Sequence, residues 1–326
     1  MSGLRFGVVG CGAVSEIYHV PAIARCNGAT LAALADVAPE RAAEVARRFN
    51  VSLSVGDHRE LVGKVDAVLI ATSNTTHADI ACHLLDQGIH VLCEKPMATT
   101  SADAERMFAA ATRGGARLMA GHSRRFNPNL ELAKSLVATG RIGKLASVGA
   151  ALGSPYGSWP TRTDFRRQRA LSGGGVLLDL GIHLIDLAVW LGGSAKVLRY
   201  EASDTLDWGV ENDAEVELEL PDGARAKLSC SYTHGLNRTV RIRGSAGWIE
   251  TSIDGAPDVV FFGRDSRLCR RAGAQRIAVP EIDPYTRQIE HFVDCLAHER
   301  PFVVTPAQVM NDLEVIERCY AVARAA

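Results

Sequence analysis

The chain has 326 residues, 47% of them hydrophobic and 22% charged, with a formal net charge of -1. That length suits two domains, and the composition is ordinary for a soluble globular protein. So balanced a charge supplies no field to attract nucleic acid or an anionic membrane. There is no uncharged apolar run of the length a bilayer span needs. The longest candidate, Val176 to Leu191, is interrupted by Asp179, His183 and Asp186.

Arg5 is followed almost at once by a glycine-rich turn, so no secretory leader is expected at the N-terminus. The cysteines (Cys11, Cys26, Cys82, Cys93, Cys230, Cys269, Cys295, Cys319) are scattered, without a C-x-x-C pair. They read as reduced, buried thiols of a cytoplasmic protein, and no Cys/His cluster suggests a metal.

Residues 4–9 read as a first strand, Gly10-Cys11-Gly12 as a turn and 13–26 as a helix. Leu31 to Ala35 is a second strand ending at Asp36, followed by a charged, alanine-rich helix over 39–49. Asp66 to Thr72 is a strand, 75–87 a helix, and Ile89 to Cys93 a strand leading into Glu94-Lys95-Pro96. A helix over 101–113 and a strand over 117–120 complete the series. Strands alternating with helices predict βαβ units and a doubly wound parallel sheet over residues 1–122.

Near residue 122 the rhythm changes. A helix over 128–139, a strand over 145–152 and a Pro- and aromatic-containing loop come next. A helix then follows Gly173-Gly174-Gly175. Strands are expected over 197–204, 213–220, 224–233, 238–243 and 247–252, with Asp222-Gly223 as a hairpin turn. Helices over 285–298 and 306–325 close the chain. Residues 123–326 therefore predict an α+β domain with a large open, mainly antiparallel sheet, whose C-terminal helices can pack back on the first domain. The fold class is α/β.

Gly10-Cys11-Gly12-Ala13-Val14-Ser15 follows a strand and opens a helix, the context of a dinucleotide-binding turn. Glycines at 10 and 12 allow close approach of a pyrophosphate to backbone N–H groups, and the helix N-terminus favours its charge. Ser15 stands where the usual fingerprint has a third glycine. Asp36 can accept hydrogen bonds from both adenosine ribose hydroxyls and would repel a 2′-phosphate, so NAD is favoured over NADP. It can also cap the helix starting at Pro39. Thr72, Ser73 and Asn74, with His77 beyond, can contact ribose or nicotinamide, or else cap the next helix.

Lys95 follows a strand end, the edge of an open α/β sheet where ligands bind. It can donate to a substrate oxygen and stabilise the charge that develops during hydride transfer. A plain Glu94–Lys95 ion pair is disfavoured, since neighbours on a strand point to opposite faces. In the glycine-led helix, Asp179, His183 and Asp186 stand at i, i+4 and i+7 on one otherwise apolar face. Burying them costs several kcal/mol unless they are paired or line a wet cavity, about as much as an unsatisfied amide or hydroxyl. His183 suits acid/base work, with Asp179 or Asp186 orienting its ring; a satisfied core His–Asp pair is the plainer alternative. Arg124 and the loop residues Tyr156, Trp159, Arg162 and Arg166 suit a hydroxyl-rich or phosphorylated ligand, and equally an ordinary solvated loop.

Taken together, Gly10-Cys11-Gly12, Thr72-Ser73-Asn74 with His77, Glu94-Lys95-Pro96, Arg125-Phe126-Asn127-Pro128 and Gly173 to Asp186 make nearly the whole chain resemble the Gfo/Idh/MocA oxidoreductases. The resemblance implies an N-terminal Rossmann domain that binds NAD(P). Cofactor contacts would fall on Gly10, Cys11, Gly12, Ala13, Val14, Asp36, Thr72, Asn74, His77, Glu94 and Lys95. It implies a second domain whose open sheet faces a partner subunit in a homodimer or homotetramer. It implies oxidation or reduction at a secondary carbon of a sugar, cyclitol or related compound. Family catalytic roles map onto Lys95, Asp179 and His183. Two further readings are carried: a nucleotide-keto-sugar reductase, with loop arginines on phosphate, and a non-catalytic NAD-binding regulatory protein.

Overall fold

The computed structural model describes residues 3–263 and 273–325, so Cys269 lies outside the described residues. The chain groups into two compact units, one of 1–122, 159–173 and 285–310, the other of 123–158, 174–284 and 311–326.

The first unit is built on six strands: β1 (Leu4–Val9), β2 (Ala29–Ala35), β3 (Leu53–Val55), β4 (Ala67–Ile70), β5 (His90–Glu94) and β6 (Leu118–Gly121). Every pairing is parallel, in the order β3-β2-β1-β4-β5-β6. This is the doubly wound order whose reversal beside β1 makes a dinucleotide crevice at the carboxyl ends of the strands. Crossover helices are α1 (Val20–Arg25), α2 (Pro39–Phe49), α3 (His77–Asp86) and α4 (Ser101–Gly114). Strands β4 and β5 carry nearly continuous apolar runs because helices cover both faces of such a sheet. Edge strand β3 was not expected; its three half-exposed residues have no apolar periodicity to betray it. The later segments bring α6 (Arg169–Ser172) and α8 (Pro284–Ala297) into this unit, where Phe292 packs edge-on against Phe6 at 5.8 Å.

The second unit contains α5 (Pro128–Ala138), α7 (Ile182–Gly192) and the later part of α9 (Pro306–Ala325). Its strands are β7 (Leu145–Gly153), β8 (Lys196–Ser203), β9 (Asp213–Glu219), β10 (Arg225–Ser231), β11 (Thr239–Gly244), β12 (Gly247–Ser252), β13 (Asp258–Phe262) and β14 (Gln275–Ala278). They form one sheet, β14-β13-β12-β11-β7-β10-β9-β8, antiparallel except for the β7–β10 pair. β13 and β14 were also missed, being short strands at one edge. The Asp222-Gly223 turn is present, both residues at positive φ (62° and 78°), within the three residues 221–223 that join β9 to β10.

All of residues 182–191 on α7 are buried against α5 and the sheet. Each fully buried Leu, Ile or Val contributes about 1.5–3 kcal/mol. The helix running from Arg169 to Gly192 is long and apolar enough to cross a membrane, but 89% of its most apolar window is buried, as in a core helix. Among the described residues, seven cysteines are free, six of them buried.

Candidate active site

Gly10 leaves β1 at φ 93°, a conformation open to glycine, and a side chain there would meet the Ala71 carbonyl oxygen at 2.5 Å. At Gly12 a Cβ would meet nothing within 4 Å, so the turn's backbone faces open space. That fits a group that must approach main-chain N–H donors closely. Ser15 is fully buried, and its hydroxyl donates to the Gly10 carbonyl at 2.5 Å, closing the turn. The helix opens with a π-helical segment, Ser15–His19, before α1, a wider turn that apolar periodicity does not report.

Asp36 follows β2 and is 7% exposed. One carboxylate oxygen accepts the Cys11 N–H at 2.7 Å and the other the Ala38 N–H at 2.9 Å, while Arg41 Nη1 stands 3.6 Å away. It ties the glycine turn to the end of β2 and bends the chain into α2, whose N-cap is Ala38 rather than Asp36. Burial and the Asp36 charge push the Cys11 thiol up to about 12, so it stays protonated.

Three predicted cofactor contacts have structural partners. Asn74 donates to the Ser172 carbonyl at 2.9 Å, and Thr72 shares a 2.7 Å hydrogen bond with Thr76. The ring nitrogens of buried His77 face the Pro96 carbonyl at 2.9 Å and the Thr72 carbonyl at 3.2 Å. Burial lowers the His77 pKa, favouring the neutral ring. The alternative of helix capping by Ser73 is not seen, since it makes no side-chain cap.

Lys95 leaves the carboxyl end of β5, half-buried, with a cis bond to Pro96. Glu94 is buried and accepts the Lys95 backbone N–H at 3.0 Å through one oxygen, while the other meets His19 Nε2 at 2.7 Å. Burial alone would raise the Glu94 carboxyl, but His19 and Lys95 outweigh it, so its pKa is lowered. His19 was not foreseen; its only sequence signal is a histidine seven residues after Gly12.

In the second unit the helix again opens with a π-helical segment, Leu177–Gly181, leading into α7. Glu211 holds its start, accepting the N–H groups of Gly175 at 3.0 Å and Leu177 at 3.1 Å and the Tyr320 hydroxyl at 2.8 Å. The glycine run is needed for contact: a Cβ on Gly175 would stand 2.1 Å from the Glu211 carbonyl oxygen.

The expected single stripe of Asp179, His183 and Asp186 divides. Asp179 is half-buried and accepts the Tyr232 hydroxyl at 2.7 Å. Asp186 is buried and takes three hydrogen bonds from the guanidinium of Arg125, at 2.6–3.1 Å. The π segment shifts Asp179 in helical phase relative to His183 and Asp186, which both lie on α7. His183 is 7% exposed, at the second position of α7. Tyr232 and Arg125 lie far from the helix in sequence, which hid them as partners.

The aromatic loop also divides. Tyr156 packs edge-on against Trp208 at 4.8 Å and Tyr232 at 5.5 Å in the second unit. In the first unit Trp159 stacks on Tyr18 at 5.7 Å, and Arg162 and Arg48 both pair with Glu16. The Arg166 guanidinium lies over Phe165 at 4.8 Å. Arg124 pairs with Asp254 at 2.6 Å in the second unit.

Known proteins place this arrangement. Residues 4–122 match the model of an oxidoreductase family with an NAD-binding Rossmann fold, and residues 130–250 match that family's C-terminal domain. The chain is 30% identical to mouse trans-1,2-dihydrobenzene-1,2-diol dehydrogenase, covering 78% of this chain and 76% of that protein. It is also 30% identical to inositol 2-dehydrogenase of Rhizobium meliloti, over 75% and 74% of the two chains. Aldose-aldose oxidoreductase from Caulobacter crescentus, solved with glycerol, superposes with a TM-score of 0.88 at 28% identity, over 99% and 98% of the chains. The chain belongs to the Gfo/Idh/MocA family of NAD(P)-dependent oxidoreductases.

Proposed function

We propose that the protein moves a hydride between NAD and a secondary alcohol or ketone carbon of a sugar, cyclitol or related polyol. The observation that carries this reading is the common edge of the parallel sheet. The glycine turn after β1, Asp36 after β2 and Lys95 after β5 all stand at strand carboxyl ends. Bound nicotinamide supplies the hydride acceptor, or the donor in reverse. The backbone of Gly10 to Val14 would hold the pyrophosphate, and Asp36 the adenosine ribose. Asp36 also favours NAD over NADP by charge. Glu94 holds the main chain of Lys95.

Lys95 donates to the substrate oxygen and stabilises its negative charge as the carbon changes hybridisation. His183 takes the hydroxyl proton during oxidation and returns it during reduction. Asp179, held by Tyr232, orients the substrate and the imidazole. A ketoreductase uses the same groups in reverse, so direction follows the supply of substrates. Arg162 is committed to Glu16 and Arg124 to Asp254, which leaves Tyr156, Trp159 and Arg166 as the loop contacts for a hydroxyl-rich ligand. The free, mostly buried thiols fit a reducing, cytoplasmic setting. The stacked Trp248–Phe262 pair on the eight-stranded sheet supports association of copies through that sheet.

The test is NADH fluorescence with free sugars, inositols, sugar phosphates and nucleotide sugars, run in both directions with Lys95→Ala as control. Turnover that falls steeply to a small residual rate in the variant supports the reading. Tight NAD binding without turnover on any member would replace it with a regulatory, NAD-sensing role.

A further inference from the structure

We propose that His19 is a positioning residue for Lys95, acting through the carboxylate of Glu94; this rests on the role given to Lys95 above. His19 is fully buried at the end of the π-helical segment that follows the glycine turn. Its Nε2–H donates to Glu94 at 2.7 Å, and the other Glu94 oxygen accepts the Lys95 backbone N–H at 3.0 Å. One carboxylate thus joins the helix of the dinucleotide turn to the main chain from which the Lys95 side chain springs. From the other side, His77 holds the Pro96 carbonyl at 2.9 Å. The residue that must meet a substrate oxygen is thus held at its own N–H and, one residue further on, at the Pro96 carbonyl.

The geometry also says which atom of His19 matters. Nδ1 is buried without a hydrogen-bond partner, and the ring packs edge-on against Tyr285 at 5.0 Å. Only Nε2 is used. A glutamine amide reaches the Nε2 position, whereas an asparagine amide reaches only the Nδ1 position. His19→Gln therefore keeps the link to Glu94, and His19→Asn breaks it.

Two measurements test this. Amide hydrogen exchange at Lys95 reads the clamp itself: faster exchange is expected in His19→Asn, and protection close to wild type in His19→Gln. Steady-state kinetics read its use. His19→Asn should lower kcat about 10- to 100-fold, the loss expected from a misplacement of about 1 Å. The KM for NAD should hold, and His19→Gln should restore most of kcat. Adding His19→Asn to Lys95→Ala should cost nothing more, because the residue it positions is already gone.

Equal losses in the Gln and Asn variants, unchanged exchange at Lys95, or a full further loss in the Lys95→Ala background would each overturn the proposal. Wild-type turnover by Lys95→Ala would instead overturn the role of Lys95, and the proposal with it. Exchange that responds to His19→Asn while Lys95→Ala alone sharply lowers turnover and His19→Asn does not lower kcat would leave the function standing and remove only the positioning role.

Discussion

Arg125 and Asp186 form an ion pair whose loss has a calculable and unusual cost. Both side chains are nearly inaccessible, at 1% and 4% exposure, and three hydrogen bonds join them. Removing one member of such a pair strands a buried charge, a loss of about 3–5 kcal/mol. A third group changes the expectation. Asp312 on α9 is fully buried, with a carboxyl oxygen within 4.8 Å of Asp186. Burial first, and the Asp186 charge second, push its carboxyl well above the ordinary range, so it stays protonated beside the pair.

Asp186→Asn removes the charge opposing Asp312 ionisation, and Asp312 then takes over the Arg125 guanidinium. The single variant should cost clearly less than a broken pair, and Asp312→Asn alone should cost little. The double variant should pay the full penalty of about 3–5 kcal/mol, with a coupling of about 1–3 kcal/mol between the sites. For a unit of this size each kcal/mol moves the melting temperature by about 2–4 °C. Thermal melts of the four proteins at pH 7 are the assay. Additive losses, with Asp312→Asn as costly as Asp186→Asn, would refute the takeover.

The pH dependence has a definite sign. A carboxyl whose folded pKa is raised contributes stability that is complete below its unfolded value and lost as pH rises through the folded one. Asp312→Asn should therefore gain on wild type as pH is raised from about 4, the ordinary carboxylate value, toward neutrality; melts across that range check it, and a constant difference would contradict it. Asp36→Ser should weaken NAD and improve NADP relative to it, since the carboxylate that repels a 2′-phosphate is gone and Arg41 is freed; the ratio of kcat/KM for the two cofactors reads this. Leaving the Cys11 N–H unpaired should also cost about 1–3 kcal/mol in the same variant. Gly175→Ala forces a Cβ to 2.1 Å from the Glu211 carbonyl oxygen and should lower stability by about 1–3 kcal/mol, seen in a denaturant midpoint. Tyr232→Phe removes one hydrogen bond from the Asp179 carboxylate and should reduce kcat more than it reduces stability, checked by kinetics beside a melt.

The legible parts were those governed by local rules. Continuous apolar runs marked β4 and β5, a Gly-x-Gly between strand and helix marked the cofactor turn, and Asp-Gly marked the β9–β10 hairpin. Lys95 could be placed at a strand end because the apolar run stops at Cys93. The π-helical segments at Ser15–His19 and Leu177–Gly181 were not legible, because a widened turn leaves the apolar spacing readable as ordinary helix. Short edge strands failed for the opposite reason, having too few residues to show a period.

By itself the sequence determined the parallel sheet, the glycine turn with its acidic strand end, and which cations and carboxylates were available for chemistry, since each depends on neighbours in the chain. Only the tertiary structure decided who partners whom. It tied Asp186 to Arg125, gave Arg162 to Glu16, and made His19 the partner of Glu94. Those choices follow from burial, because a desolvated charge must be met by whichever group the packing brings within hydrogen-bond reach, however distant in the chain.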